Sequence, residues 1–341
     1  MIVNAIIGFV IAAGASWVAI YALMPLFSKL GFIDIPNERS SHDTPKPRAG
    51  GIAVILGVAC GSLWFFMMEG VHLPWIFWIA SFIVAALGIV DDKIGLPVWT
   101  RLIFQAIAIG LVINHSGAFS EFPLPAPLNF SLGWAGYAVA FIWVLGIMNI
   151  FNFLDGIDGF AGAQTLIGAL VLSLILFGSP MSMFTLVLAG AAMGFLFWNW
   201  DPSKVFMGDV GSSLLGFWFA IIPFYNGEFS LNSMTLIVVL VLWVFLSDGA
   251  FTIIRRGLNK EKIWKPHRSH LYQRLNIIGW RHRKIVSMLV IFMAVMGACA
   301  TWFADSGLND EVAWAALAIG LIIFVLYAIM VTRIESSNHS S

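Results

Sequence analysis

The chain has 341 residues, of which 60% are hydrophobic and 11% charged, with a mean hydropathy of +0.91 and zero formal net charge. Soluble domains carry about a quarter charged residues, so one aqueous core cannot hide this much apolar surface and a polytopic membrane protein is expected. The balanced charge argues against a nucleic-acid partner, and Cys60 and Cys299, both inside apolar runs, argue against a disulfide framework.

Apolar runs long enough to cross roughly 30 Å of hydrocarbon lie at about 2–28, 50–68, 74–90, 100–116, 134–151, 161–178, 182–200, 210–226, 234–255, 284–304 and 312–332. The expectation is an all-α fold of about 11 transmembrane helices in one integral membrane domain over 1–335, with a disordered tail at 336–341. The first 28 residues contain no Lys or Arg, so a secretory signal is not supported and the N-terminus is expected outside. Charge tests the count. With eleven spans, the cytoplasmic loops fall at about 29–49, 91–100, 152–160, 201–209, 256–283 and after 332, and all 18 Lys and Arg residues lie in or beside them. The opposite loops carry Glu69, Glu121, Glu228, Asp305, Asp310 and Glu311 and no basic residue. That is the positive-inside pattern, and it puts the C-terminus in the cytoplasm. The stretch 117–133, with Pro123, Pro125 and Pro127, reads as an irregular loop on the outer face. No internal repeat is evident, which weakens a transporter built on inverted repeats.

Five polar stretches share the basic face. In the first, prolines stiffen the chain before Lys46, Arg48 and Gly50-Gly51; the two cations suit phosphates, or serve only as anchors. Asp91-Asp92-Lys93 follows the third run. Adjacent carboxylates repel, so one needs a cation or a shared proton, and a regular helix would not aim both at one ligand. Asn149–Gly159 holds Asn152, Asp155 and Asp158. On a helical turn these lie on one face, where their oxygens suit a hard cation; the plain alternative is a polar turn with glycines for positive φ. Asn199–Ser213 places Asp209 at the mouth of the next run between Gly208 and Gly211, as a metal ligand or as a helix N-cap. The stretch 256–283, with His267, Arg268 and His270, and with Arg255 and Lys284 at its edges, holds ten of the 18 basic residues. Such clusters often bind anionic lipid heads, and a zinc site lacks further ligands here.

Singly these stretches have bland readings. Jointly, five carboxylates at span mouths beside a concentrated basic loop form the inventory for Mg²⁺-dependent phosphoryl transfer. A transporter would place acids deep within spans, where Asp248 is the one candidate. A structural lipid-binding protein would leave the gathered acids unexplained.

At this point the sequence resembles the polyprenyl-phosphate N-acetylhexosamine-1-phosphate transferases. The resemblance spans nearly the whole chain and rests on Asp91-Asp92-Lys93, Asn152-Phe153-Leu154-Asp155-Gly156-Ile157-Asp158-Gly159 and Val205-Phe206-Met207-Gly208-Asp209-Val210-Gly211-Ser212. It implies transfer of a sugar 1-phosphate from a UDP-sugar to undecaprenyl phosphate with release of UMP, in the bacterial inner membrane. It further implies Mg²⁺ as cofactor, with Mn²⁺ as a substitute, and leaves a homodimer open. By motif, Asp209 resembles the principal metal ligand, with Asn152 beside it. Asp91 resembles the residue handling the lipid phosphate, and Asp92 a supporting carboxylate. Asp155 and Asn152 resemble the nucleotide and pyrophosphate side, with Asp158 in support. Asn199 and Phe206 resemble uridine contacts, and His267, Arg268 and His270 the basic motif facing the pyrophosphate. The family often carries a His-x-His-His cluster in that loop. Here His270-Leu271-Tyr272-Gln273 keeps only the first histidine, which argues against the pentapeptide translocase branch. Arg39-Ser40-Ser41-His42 and Pro45–Gly51 are similar to the O-antigen initiating branch.

Overall fold

The computed structural model describes residues 2–36, 44–48, 50–262 and 267–339; the Arg39–His42 motif and Ala49 lie outside the described residues. The chain runs through α1 (Ile2–Lys29), β1 (Ile33–Asp34), β2 (Lys46–Pro47), α2 (Gly50–Glu69), α3 (Trp75–Ile94), α4 (Val98–Ser116), α5 (Ala135–Leu154), α6 (Phe160–Ile175) and α7 (Pro180–Asn199). It continues through α8 (Gly208–Tyr225), α9 (Leu231–Val241), α10 (Trp243–Leu258), α11 (Leu271–Ile277), α12 (His282–Asp305) and α13 (Asp310–His339).

Every expected apolar run is helical, but not every run is a full span. Among the described residues, eight helices are long and apolar enough to cross a membrane, or nine if α9 and α10 count as one. The ninth run is broken at Leu242, where α9 and α10 meet at 82°. Of the remaining two, α6 has only 16 residues. The other, α8, starts on a carboxylate and is buried almost continuously from Val210 to Pro223, so protein rather than lipid surrounds it. Three further differences stand out. Asp91 and Asp92 lie in the last turn of α3 rather than in a loop, α11 forms inside the long basic stretch, and α13 continues through 336–339, where a disordered tail was expected.

The centre of the bundle is α8, packed against α2, α3 and α5, while α7 packs against α1, α2 and α6. Small residues allow the closest approaches. A Cβ at Gly88 of α3 would strike the Val210 backbone, and one at Gly51 of α2 would strike Gly211. The outer helices expose bare ridges, such as Ile2, Val3, Ile6 and Val10 on α1 and Leu321, Ile322, Val325 and Leu326 on α13. These suit hydrocarbon.

Alternate loops meet at one end. Lys46 donates to Ser203 Oγ at 2.8 Å, the Arg283 N–H donates to Asp201 at 3.1 Å, and Arg274 pairs with Glu335. At the other end Asn4 donates to Glu69 at 2.9 Å and Trp314 to the Ala126 carbonyl at 2.7 Å. The basic loops therefore form a common roof, and β1 pairs with β2 antiparallel within it.

Candidate active site

The site grows from the N-terminus of α8. The chain enters it through Gly208 at φ 74°, so Asp209 starts the helix. The first N–H groups of any helix lack internal partners. Here Asp92 supplies them, its carboxylate accepting from the N–H of Asp209 at 2.9 Å and of Val210 at 3.1 Å. Arg48 lies 3.6 Å from Asp92 and 2.9 Å from Asp34, linking the first loop to this cap.

Asn152, in the last turn of α5, donates to Asp209 Oδ1 at 2.9 Å and to Ser212 Oγ at 2.8 Å. Its amide nitrogen is thus committed. Among the described residues no donor reaches Asn152 Oδ1 or Asp209 Oδ2. Asp155 follows at the end of α5 and also receives no hydrogen bond among the described residues. Burial, and then the charges of Asp209, Asp158 and Asp92, push its carboxyl up to about 7. Asp91 points elsewhere. It accepts from the Leu96 N–H at 2.6 Å and pairs with Arg101 at 3.2 Å.

Asp158 is buried and committed to scaffolding contacts. It accepts from the Ser203 N–H at 3.0 Å and Ser203 Oγ at 2.8 Å, with His282 Nδ1 at 3.4 Å and Lys46 Nζ at 3.7 Å. Burial works to raise its carboxyl, but the bonds from His282 and Ser203 together outweigh that and hold it at about 2. Asp158, Asp201 and His282 bring ligand atoms within 4.8 Å of one another. Asn199 is buried too; it accepts from the Gly159 N–H and donates to the Val205 carbonyl, each at 2.9 Å. Gly159 sits at φ 82°, a turn that a side chain would strain. Lys46 lies 5.0 Å over the Phe206 ring.

Asp91, Arg101, Asn152 and Asp209 open on a cavity of about 730 Å³ between α3, α4, α5 and α8. Its lining is mixed: Val84, Leu87, Val98, Trp99 and Leu102 are apolar, while Asp91, Arg101, Asn152, Asp209, His267 and His270 are polar or charged. Of the residues singled out from sequence, Asp91, Asn152, Asp209, His267 and His270 line this cavity. Asp92, Asp158 and Asn199 brace its frame, while Lys46 and Phe206 lie beside Asp158 and Ser203. Arg268 reaches Asn276 at 3.5 Å. Arg101, Ser212, Ser203 and His282 were missed. Arg101 sits in an otherwise apolar run, and His282 is 124 residues from the aspartate it meets. A second pocket of about 330 Å³, lined by Phe65, Phe66, Trp78 and Phe184 with His72, is too apolar for phosphoryl chemistry.

A helical membrane bundle with carboxylates, cations and apolar residues around one cavity is built to join a charged reactant to a lipid-borne one. The pattern defining glycosyl transferase family 4 matches residues 74–227. A probable undecaprenyl-phosphate N-acetylglucosaminyl 1-phosphate transferase of Bacillus subtilis is 33% identical, covering 86% of this chain and 84% of its own length. A decaprenyl-phosphate N-acetylglucosaminephosphotransferase of Mycolicibacterium smegmatis is 28% identical, with 91% and 84% covered. An undecaprenyl-phosphate alpha-N-acetylglucosaminyl 1-phosphate transferase of Salmonella typhimurium is 25% identical, with 89% and 85% covered. The chain belongs to glycosyl transferase family 4, among the polyprenyl-phosphate N-acetylhexosamine-1-phosphate transferases.

Proposed function

We propose that the chain transfers an N-acetylhexosamine 1-phosphate from a UDP-sugar to undecaprenyl phosphate, releasing UMP. The observation that carries this is one cavity whose lining joins Asp209 and Asn152 to apolar residues such as Trp99 and Leu102. The named relatives act with N-acetylglucosamine, which supports UDP-N-acetylglucosamine as donor. The excess of basic residues on one side supports a cytoplasmic site in the bacterial inner membrane, with the N-terminus outside and the C-terminus inside. The first product would then start O-antigen or another surface polysaccharide.

The residues fit a divalent cation. Asp209 Oδ2 and Asn152 Oδ1 lack donors among the described residues, and Asp155 feels three neighbouring carboxylates. Mg²⁺ held by Asp209 and Asn152 would offset pyrophosphate charge, with Asp155 close by. The chain's own groups do the rest. An oxygen of the lipid phosphate attacks the sugar-bearing phosphorus, and the bond to the UMP phosphate breaks, its electron pair leaving with UMP. A phosphate monoester has its second pKa near 6, so the nucleophile is already dianionic at neutral pH and needs orientation more than deprotonation. Asp91 and Arg101 stand at the cavity wall to orient it. By the family resemblance His267, Arg268 and His270 would meet the donor's pyrophosphate and Phe206 the uracil; of these, His267 and His270 line the cavity. One phosphoanhydride replaces another, so the reaction is freely reversible.

The test is a membrane assay with radiolabelled UDP-sugars, undecaprenyl phosphate and Mg²⁺, scored for labelled lipid and UMP. Labelled lipid from UDP-N-acetylglucosamine, with back-exchange of UMP, is the expected result. No labelled lipid from any UDP-N-acetylhexosamine would remove the proposal.

A further inference from the structure

Asp248 is a buried acid that neither the cavity nor the metal reading uses. It lies in α10, six residues after the break at Leu242, and is only 2% exposed. A buried carboxylate is tolerated when donors satisfy it, and four do. Its Oδ1 faces His270 Nδ1 at 3.2 Å and accepts from the Leu271 N–H at 3.1 Å and from Thr252 Oγ1 at 3.1 Å. Its Oδ2 takes the Tyr272 N–H at 3.4 Å. The ring is held on a second side by the capping box at the start of α11, in which the His270 side chain meets the Gln273 N–H and the Gln273 side chain meets the His270 N–H. His270 lines the 730 Å³ cavity alongside Asn152 and Asp209. His270 itself is 3% exposed and stacked at 5.7 Å on Tyr272, so its ring cannot turn freely. His267, 4.9 Å away, uses its Nδ1 on Ser269 and has no carboxylate of its own among the described residues.

We propose that Asp248 is the positioning residue for His270, holding the imidazole at the cavity wall toward the phosphates. This rests on the proposed function of the cavity and adds to it the group that orients one of its histidines. The same carboxylate anchors the start of α11. The bend between α9 and α10 brings a residue of the ninth apolar run under the basic loop, and so serves to deliver this one carboxylate.

The test is a double-mutant cycle on Asp248→Asn and His270→Gln, read by labelled-lipid formation with kcat and KM separated. The asparagine keeps one acceptor oxygen, enough for the Leu271 N–H, but puts an amide donor where the second oxygen took the Tyr272 N–H, and it loses the charge. Groups that orient a working histidine contribute about 10–100-fold. We expect Asp248→Asn to lower kcat by that factor with KM for the UDP-sugar within about threefold. In the His270→Gln background the same change should do almost nothing, since interacting residues are not additive. Equal losses in both backgrounds would mean that Asp248 only holds α11 in place, and would overturn the proposal; so would wild-type kcat in Asp248→Asn or in His270→Gln. If Asp248→Asn fails to fold by gel filtration in detergent, Thr252→Val loosens the carboxylate without removing it. It should then lower kcat severalfold with His270 present and leave it unchanged without; the same rate in all four proteins overturns the proposal. A wild-type enzyme that forms no labelled lipid removes the transferase reading instead.

Discussion

Asp209 and Asp91 differ in what already engages them. Asp209 keeps Oδ2 without a donor, whereas Asp91 has one oxygen on the Leu96 N–H and the other on Arg101. With the lipid phosphate already dianionic, we expect Asp209→Asn to lower kcat by about 10²–10³-fold, the scale of a lost transition-state contact. Asp91→Asn should lower it only about tenfold, as lipid orientation weakens. If Asp91→Asn abolished turnover while metal binding survived, an obligatory base at Asp91 would be indicated. Asp158 lends itself to a stability measurement. Its carboxyl is held at about 2, below the unfolded value of about 3.9, so its contribution is complete above that value and fades as pH falls through 2. The shift corresponds to about 2–3 kcal/mol at neutral pH. Thermal unfolding of Asp158→Asn in detergent should therefore show a deficit at pH 7 that shrinks steadily below pH 4. The carboxylates were legible in sequence as a set because charge at the end of an apolar run demands a reason. Their division of labour was not. Whether Asp92 meets a metal or two N–H groups depends on where α8 begins in space, 117 residues later.

At the scale of elements, the site depends on how closely α3 and α2 press on the first turn of α8. Gly88 leaves no room for a methyl against Val210. Gly88→Ala should push the helix start away from Asp92, lowering stability by about 1–3 kcal/mol and kcat by up to about 10²-fold, since ångström displacements matter that much. Melting temperature and kcat measured on one preparation check this; a variant with unchanged turnover would show that the helix start tolerates displacement. Helix positions were legible from hydropathy, as α1 to α5 show. The break inside the ninth run was not, because Leu242 and Trp243 are as apolar as their neighbours and no proline or glycine marks the bend. Nor was α11, a seven-residue helix whose Tyr272 is fully buried against Phe160 and touches Gly156. Its stability comes from Asp248, from that contact and from the capping box between His270 and Gln273.

For the whole molecule, the proposed orientation follows from the basic roof alone. In a background with Cys60 and Cys299 replaced by alanine, a cysteine at Glu121 should react with an impermeant maleimide on intact cells. One at Arg283 should react only after permeabilisation; the reverse would invert the topology. The cavity's position has a further consequence. Its apolar lining on α4 continues into Val98, Trp99 and Ile103, which are 58%, 77% and 58% exposed, whereas His267 and His270 of its lining belong to the basic loop. The two reactants therefore come from different phases, one dissolved in three dimensions and the other confined to two. For the lipid, molarity in the tube is then the wrong variable: velocity should follow its mole fraction in the bilayer or micelle. Adding inert detergent at constant total lipid phosphate should slow the enzyme by surface dilution, while the same dilution leaves its response to the nucleotide sugar unchanged.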